Sequence, residues 1–263
     1  MHNLRRIALA ISAAALALSL GAARAEDKVL KIGTEGAYPP FNNLTSDGKL
    51  VGFDVDIAQA LCDEMKVKCE FVTQDWDGII PALQAGKFDA IIASMSITPE
   101  RAEKVDFTNK YYNTPSAIAV AKDSDLKGVT KEDLAGKTIG AGSATTHFNY
   151  ASATYTDSTV KGYPSSPEEQ ADLAAGRIDA IQDDIVVLSQ WLDTPDGACC
   201  KILGTPKPQP VEIFGPGAGI AVRKGEKELV DKLNAAIDAI RANGKYKEIN
   251  DKYFKFDVYG AES

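Results

Sequence analysis

Apolar residues follow two spacings along this chain, and each spacing predicts one kind of element. In segment 54–65, Ile57, Leu61 and Met65 recur every four residues, which is typical of a helix that buries one stripe. Short apolar runs after glycine, such as 90–93, are typical of buried strands. Because helices and strands alternate, the pattern predicts an α/β fold with largely parallel sheets.

Two stretches of the chain resemble each other. "LQAGKFDAIIAS" (83–94) and "LAAGRIDAIQDD" (173–184) each predict a helix end, a glycine stop and a buried strand. A weaker pair, "KIGTEG" (31–36) and "TIGAGS" (138–143), precedes them in the same order. One match alone could be a common helix–Gly–strand junction recurring by chance. Two matches in order predict two α/β lobes of similar construction, with Ser166 capping the helix before the second junction.

The end of the chain has no counterpart after the first lobe. A long helical pattern near the C-terminus, with Leu229, Leu233, Ile237 and Ile240 in register, is therefore expected to return to the first lobe. We predict a first lobe of residues 26–114 and 214–263 and a second lobe of 115–213. The crossing segments, near 112–118 and 206–214, would form a hinge beside a ligand-binding cleft.

Residues 1–25 have the pattern of a secretory signal peptide. Arg5 and Arg6 precede an apolar run, and Ala23-Arg24-Ala25 matches a cleavage site, so we predict cleavage after Ala25. A membrane anchor is the alternative, but it needs about 20 apolar residues. Export predicts a protein that works in an oxidising compartment.

The charge of the exported chain excludes some partners. The 263 residues contain 29 bases and 37 acids, and removal of residues 1–25 takes away three arginines and no acid. The remaining net charge of −11 argues against nucleic acid or an anionic membrane as partner.

The four cysteines form two different pairs. Cys62 and Cys69 lie across a helix end and a strand start, and an oxidising compartment favours a disulfide between them over two buried thiols. Cys199 and Cys200 are adjacent and could form a strained vicinal disulfide or remain two thiols. These spacings do not form a zinc site.

Arg101 is an unfavourable residue at its position in a predicted helix. Thr98 and Pro99 predict a helix start, which places Arg101 in the first turn, where the helix dipole disfavours a cation. An arginine there is explained if it holds a ligand anion beside the free N–H groups. Alternatively it points to solvent or pairs with Glu100 or Asp106.

Other candidates follow the predicted strands, where parallel α/β sheets bind ligands. Asp183 offers a carboxylate for an ammonium group, or it caps the helix that starts near Asp184. Tyr38 and Trp76 could form pocket walls, or they belong to the core. We find no nucleophile–base set, metal cluster or phosphate loop, so we predict no catalytic residue, no metal and no cofactor.

The order of motifs resembles one family. The chain contains "EGAYPPF" (35–41), "GFDVD" (52–56), "WD" (76–77), "ASMSIT" (93–98), Arg101 and Asp183. It thereby resembles the polar amino-acid-binding proteins of bacterial ABC importers, in particular the lysine/arginine/ornithine, histidine and opine binders. The resemblance covers the whole exported chain and implies a two-lobed periplasmic binding protein that closes like a hinged clamp, with mixed, mainly parallel sheets flanked by helices.

The resemblance also implies a role for each candidate residue. Arg101 would hold the ligand α-carboxylate with Ser96 and the N–H groups of Thr145 and Thr146. Asp183 would pair with the α-ammonium near Ser94. Tyr38 and Trp76 would sandwich the aliphatic stem, and Glu35 would meet a distal cation. The implied ligand-binding set is Glu35, Tyr38, Trp76, Ser94, Met95, Ser96, Arg101, Ser143, Thr145, Thr146, His147 and Asp183.

The expected function is that of a monomeric binding protein and not of an enzyme. It would capture a cationic amino acid (arginine, lysine, ornithine or histidine) and deliver it to the membrane permease subunits of an ABC transporter. Glu35 and His147 depart from the usual residues of the basic amino-acid binders, which leaves an opine as an alternative ligand. An exported cyclohexadienyl dehydratase is the alternative of another class.

Overall fold

The computed structural model of the protein describes residues 28–260, so the predicted signal peptide lies outside the described residues. The strands are β1 Val29–Thr34, β2 Ala37–Tyr38, β3 Asn42–Leu44, β4 Leu50–Val51, β5 Lys68–Thr73, β6 Ala90–Ile91, β7 Val105–Tyr112, β8 Ser116–Ala121, β9 Thr138–Gly142, β10 Thr159–Tyr163, β11 Ala180–Asp184, β12 Cys200–Gly204 and β13 Ala218–Arg223. The helices are α1 Phe53–Met65, α2 Ile79–Gln84, α3 Pro99–Ala102, α4 Thr146–Thr154, α5 Ser166–Ala174, α6 Ile185–Leu192, α7 Val211–Phe214, α8 Lys227–Ala242 and α9 Lys245–Tyr253, with a 3₁₀ turn at Trp76–Gly78.

Two five-stranded sheets form the centres of two lobes, as predicted. The sheet of the first lobe has the order β5-β1-β6-β13-β7, and that of the second has the order β10-β9-β11-β8-β12. In each sheet, four strands run in the same direction and one is reversed, β13 in the first and β8 in the second. Both reversed strands directly follow a crossing between the lobes, at 113–115 and 205–217.

Both faces of each sheet are buried under helices. In the first lobe, Ala90 and Ile92 contribute to one apolar cluster while Ile91 and Ala93 contribute to another. This alternation follows from the two-residue period of a strand, and it explains the continuous apolar run in the sequence. The second lobe repeats the arrangement with Ala117 and Ala119 against Ile118 and Val120.

The C-terminal helices lie on the first lobe. Leu233 and Ile237 of α8 share a buried cluster with Ile57 and Leu61 of α1, so the two apolar stripes seen in the sequence face each other. Each fully buried aliphatic side chain contributes about 1.5–3 kcal/mol of transfer free energy.

The cysteine pairs differ in state. A disulfide joins Cys62, near the end of α1, to Cys69 on β5, which confirms that prediction. Cys199 is exposed, Cys200 is buried, and both are free thiols. Among residues 28–260, no helix has the length and apolar character needed to cross a membrane.

Candidate functional site

A cavity lies between the lobes, where the loops after β1, β5, β6, β9 and β10 converge with the end of β11. Eleven of the twelve predicted site residues line it. The exception is Met95, which is fully buried in an apolar cluster of the first lobe. The lining consists of Glu35, Tyr38, Trp76, Ala93, Ser94, Ser96, Arg101, Gly142, Ser143, Thr145, Thr146, His147, Pro164, Ser165, Ser166 and Asp183.

Arg101 reaches from the first lobe to the second. Its backbone N–H donates to the Thr98 hydroxyl at 3.3 Å, so Thr98 is the N-cap of α3 as predicted. One guanidinium nitrogen donates to the Ser96 carbonyl at 3.0 Å, and the other terminal nitrogen donates to the Ala144 carbonyl at 3.0 Å. The guanidinium also lies over the Trp76 ring, 5.1 Å from its centroid.

The guanidinium has no carboxylate partner among residues 28–260. Glu100 pairs instead with Lys104 at 2.9 Å, and Asp106 pairs with Lys224 at 2.8 Å. Arg101 is only 8% exposed, and burial lowers its pKa to about 10, so it remains charged at neutral pH. A buried charge held only by neutral carbonyls favours an anionic ligand.

Asp183 holds the matching negative charge on the second lobe. Its carboxylate accepts the Tyr38 hydroxyl at 2.6 Å, the Ser166 hydroxyl at 2.5 Å and the backbone N–H of Asp184 at 2.7 Å. The helix cap in this region is Asp184, which accepts the N–H of Val186, so Asp183 is not used as a cap.

The surroundings of Asp183 contain a second acid and a histidine. Glu169 on α5 is fully buried, and burial together with Asp183 raises its pKa well above the ordinary value, which favours its neutral form. His147 Nε2 lies 3.5 Å from Asp183, and its Nδ1 lies 3.0 Å from the Ser116 hydroxyl. Burial lowers the pKa of His147, a shift that Asp183 opposes and Arg101 reinforces. At neutral pH, Asp183 therefore faces no full positive charge from His147.

Glu35 occupies the cavity without a hydrogen-bond or ion-pair partner in the described part of the chain. Burial raises its pKa to about 7, and the nearby carboxylates of Asp183, Asp75 and Asp77 add to the shift. An acid in this setting is stabilised by a cation or by a proton.

A buried network behind the cavity fixes Ser94. Its hydroxyl donates to Asp54 at 3.0 Å, and its backbone N–H donates to the Tyr111 hydroxyl at 3.1 Å. Asp54 also accepts Tyr111 at 2.7 Å and Asn42 at 2.8 Å, and Asn42 accepts the N–H of Gly36. Ser94 has a φ of 56°, a left-handed conformation that a non-glycine residue adopts at an energetic cost.

The backbone N–H groups of Thr145 and Thr146, both predicted to bind a carboxylate, differ in the structure. The Thr145 N–H donates to the Gly142 carbonyl at 3.3 Å, so it is already used within the turn. The Thr145 hydroxyl caps α4, whose first N–H groups, at Thr146 and His147, have no carbonyl four residues earlier within the helix. Thr146 and His147 line the same cavity as Arg101.

Sequence reasoning did not find Ser165 and Ser166 as lining residues. Ser166 was expected to cap α5, but Ser165 occupies the cap position, and Ser166 is the first residue of the helix. Its hydroxyl is thereby free to hold Asp183. No motif in the sequence indicates the other three lining residues, which are Ala93, Gly142 and Pro164.

Residues 30–256 match the family of bacterial extracellular solute-binding proteins, family 3. The chain belongs to this family. The L-arginine-binding protein of Pseudomonas aeruginosa is 52% identical over 240 residues, with 90% of this chain and 92% of the relative covered. The histidine-binding periplasmic protein of Escherichia coli K12 is 39% identical over 234 residues, with 88% and 89% covered.

A solved structure in this family has a similar fold. An ancestral arginine-binding protein bound to glutamine is 38% identical and has a TM-score of 0.79, with 87% of this chain and 98% of that chain covered. As a member of family 3, the chain is a solute-binding protein and not an enzyme. The resemblance stated from the motifs and the two-lobed fold are thus both confirmed.

Proposed function

We propose that this solute-binding protein captures a cationic amino acid, namely arginine, lysine, ornithine or histidine, and delivers it to the permease of an ABC transporter. One observation carries the proposal. Arg101 and Asp183, on opposite lobes, line the same cavity, and neither is neutralised by an oppositely charged side chain in the described residues. A zwitterionic head group would supply both missing charges.

The α-carboxylate would bind Arg101 and the first N–H groups of α4. A guanidinium has five N–H donors, and two terminal nitrogens of Arg101 are directed to carbonyls, so further N–H bonds remain for a carboxylate. The positive end of α4 adds to the attraction. The α-ammonium would bind Asp183, whose position is held by Tyr38 and Ser166.

The side chain of the ligand would extend between Tyr38 and Trp76 toward Glu35. The two rings provide apolar walls for an aliphatic stem, and Glu35 provides a negative group within the cavity. The names of the relatives support this assignment, since two of them bind arginine and histidine.

Closure would follow from binding because the ligand contacts both lobes. Two direct bonds already join them, from Tyr38 to Asp183 and from Arg101 to Ala144. We assign residues 26–114 and 214–263 to the first lobe and 115–213 to the second, with hinges near 112–118 and 206–214. The crossings at 113–115 and 205–217 support these boundaries. Export to the periplasm with cleavage after Ala25, and action as a monomer, complete the proposal.

A thermal-shift screen followed by calorimetry tests the ligand class. Arginine, lysine, ornithine, histidine, octopine and nopaline would be compared with neutral and acidic amino acids at pH 8. A ligand at about 100 times its Kd stabilises the folded state by about 2.7 kcal/mol, which is easily measured. We expect stabilisation by at least one cationic amino acid. Stabilisation by opines alone, or by none of the cationic ligands, would contradict the proposal.

A further inference from the structure

Glu35 differs from the other charged groups of the cavity because no cation or hydrogen-bond donor in the described residues stabilises its negative charge. Its carboxylate has no hydrogen-bond donor or cation there, and the groups that act on it electrostatically are carboxylates. Asp183 faces it from β11, while Asp75 and Asp77 lie in and beside the 3₁₀ turn.

The positive and polar groups of the cavity are directed elsewhere. The Arg101 guanidinium binds the carbonyls of Ser96 and Ala144, and the Tyr38 hydroxyl donates to Asp183. His147 lies between Ser116 and Asp183 and is neutral at pH 7. None of these groups relieves the charge of Glu35.

A partly buried acid beside other acids has two stable conditions. It can be ionised with a cation in contact, or it can carry a proton. Burial and the three neighbouring carboxylates raise the pKa of Glu35 to about 7, so both conditions are accessible near neutral pH.

We propose that Glu35 exchanges a proton for the side chain of the ligand, so that one cavity accepts cationic and neutral side chains in different protonation states. A guanidinium or ammonium group binds ionised Glu35, and the proton is released to solvent. A neutral urea or amide side chain binds protonated Glu35, whose hydroxyl donates to the carbonyl of the ligand. Ionised Glu35 beside a neutral ligand would remain a buried charge without a cation. This inference rests on the proposed function, since it assumes that the head group binds Arg101 and Asp183.

The two ligand classes then depend on pH in opposite ways. Below pH 7, the affinity for a cationic side chain falls by about tenfold per pH unit, because Glu35 must first lose its proton. Above pH 7, the affinity for a neutral side chain falls with the same slope. The selectivity between the two classes therefore changes with pH although the cavity is unchanged.

Arginine and citrulline form a matched pair for the test, since they have nearly the same shape and differ in charge. Calorimetric titrations at pH 6, 7 and 8, each in buffers of different ionisation enthalpy, count the protons exchanged on binding. At pH 7 we expect arginine to release about half a proton and citrulline to take up about half. At pH 6, release by arginine rises to about nine-tenths of a proton.

Two variants test whether Glu35 is the group that exchanges a proton on ligand binding. Glu35→Gln should abolish the difference in proton exchange between the two ligands. Asp75→Asn removes a neighbouring carboxylate on an exposed residue outside the cavity lining, so it should move the arginine proton-release curve to lower pH while binding persists. If Glu35→Gln does not fold, the Asp75→Asn shift still tests the assignment.

The outcomes separate the inference from the proposed function. Equal proton exchange for arginine and citrulline in the wild type, or a difference between them that persists in Glu35→Gln, would overturn the inference while leaving arginine binding in place. No heat of binding for any cationic ligand would instead overturn the proposed function. An unchanged proton-release curve in Asp75→Asn would also count against Glu35 as the exchanging group.

Discussion

Truncation of Arg101 is the sharpest test of the head-group site. Arg101→Ala removes the guanidinium that lies 3.0 Å from the carbonyls of Ser96 and Ala144 and over the Trp76 ring. The ligand carboxylate would then remain in the cavity without its cation. Loss of one partner of a buried, hydrogen-bonded charge pair costs about 2–5 kcal/mol.

That free energy corresponds to a Kd about 30-fold to several thousand-fold higher. Arg101→Lys should also weaken binding, because an ammonium is a point charge and cannot present two parallel N–H bonds to a carboxylate. The assay is calorimetric titration with arginine at pH 8, where Glu35 is mostly ionised. Thermal unfolding without ligand checks that each variant is folded.

A nearby surface lysine provides the control. Lys104 pairs with Glu100 at 2.9 Å, and the two side chains are 50% and 67% exposed. Exposed pairs contribute at most about 1 kcal/mol to stability, so Lys104→Ala should bind arginine normally. If Arg101→Ala binds arginine as tightly as Lys104→Ala does, Arg101 does not hold the carboxylate, and the head-group assignment is wrong.

Three further predictions concern the opposite charge, the disulfide and the buried acid. Asp183→Asn should raise the Kd for arginine by about 30-fold or more, since the ammonium loses its carboxylate; calorimetry with an unchanged Kd would contradict this role. Replacement of both Cys62 and Cys69 by serine should lower the free energy of unfolding by about 2.5 kcal/mol, from the entropy of the short loop that the disulfide closes, as measured in urea. Burial raises the pKa of Asp54 to about 6, above its unfolded value, so its stabilising contribution is present at low pH and is lost as the pH rises through 6. The difference in unfolding free energy between the wild type and Asp54→Asn should therefore fall by about 2 kcal/mol from pH 4 to pH 7, and a constant difference would refute the shift.

The lobes and much of the cavity could be predicted because they depend on local patterns. The repeated helix–Gly–strand junctions correspond to α2 with β6 and to α5 with β11, whose ends deliver Ser94 and Asp183. Arg101 was found because a cation in the first turn of a helix conflicts with the dipole. Such local conflicts occur at functional sites.

Other features depend on packing between distant segments. Met95 was included with Ser94 and Ser96, but its side chain is fully buried in an apolar cluster of the first lobe. The hydrogen bond from Ser166 to Asp183 was not predicted, because α5 begins one residue earlier than expected. Ser165 is therefore the N-cap, and the Ser166 hydroxyl is available to Asp183. The effect of Asp75 and Asp77 on Glu35 acts through space and has no local pattern in the sequence.

The position of the reversed strand β13 near the end of the chain determines when the first lobe can fold. It lies between β6 and β7, and β7 pairs with no other strand of its sheet. Ile220 and Val222 of β13 also complete the main apolar cluster. The first lobe therefore stays unfinished until almost the whole chain is available, whereas β8 to β12 are contiguous and can pair earlier. A chain that leaves the cytoplasm N-terminus first would thus cross the membrane before its first lobe can close its sheet.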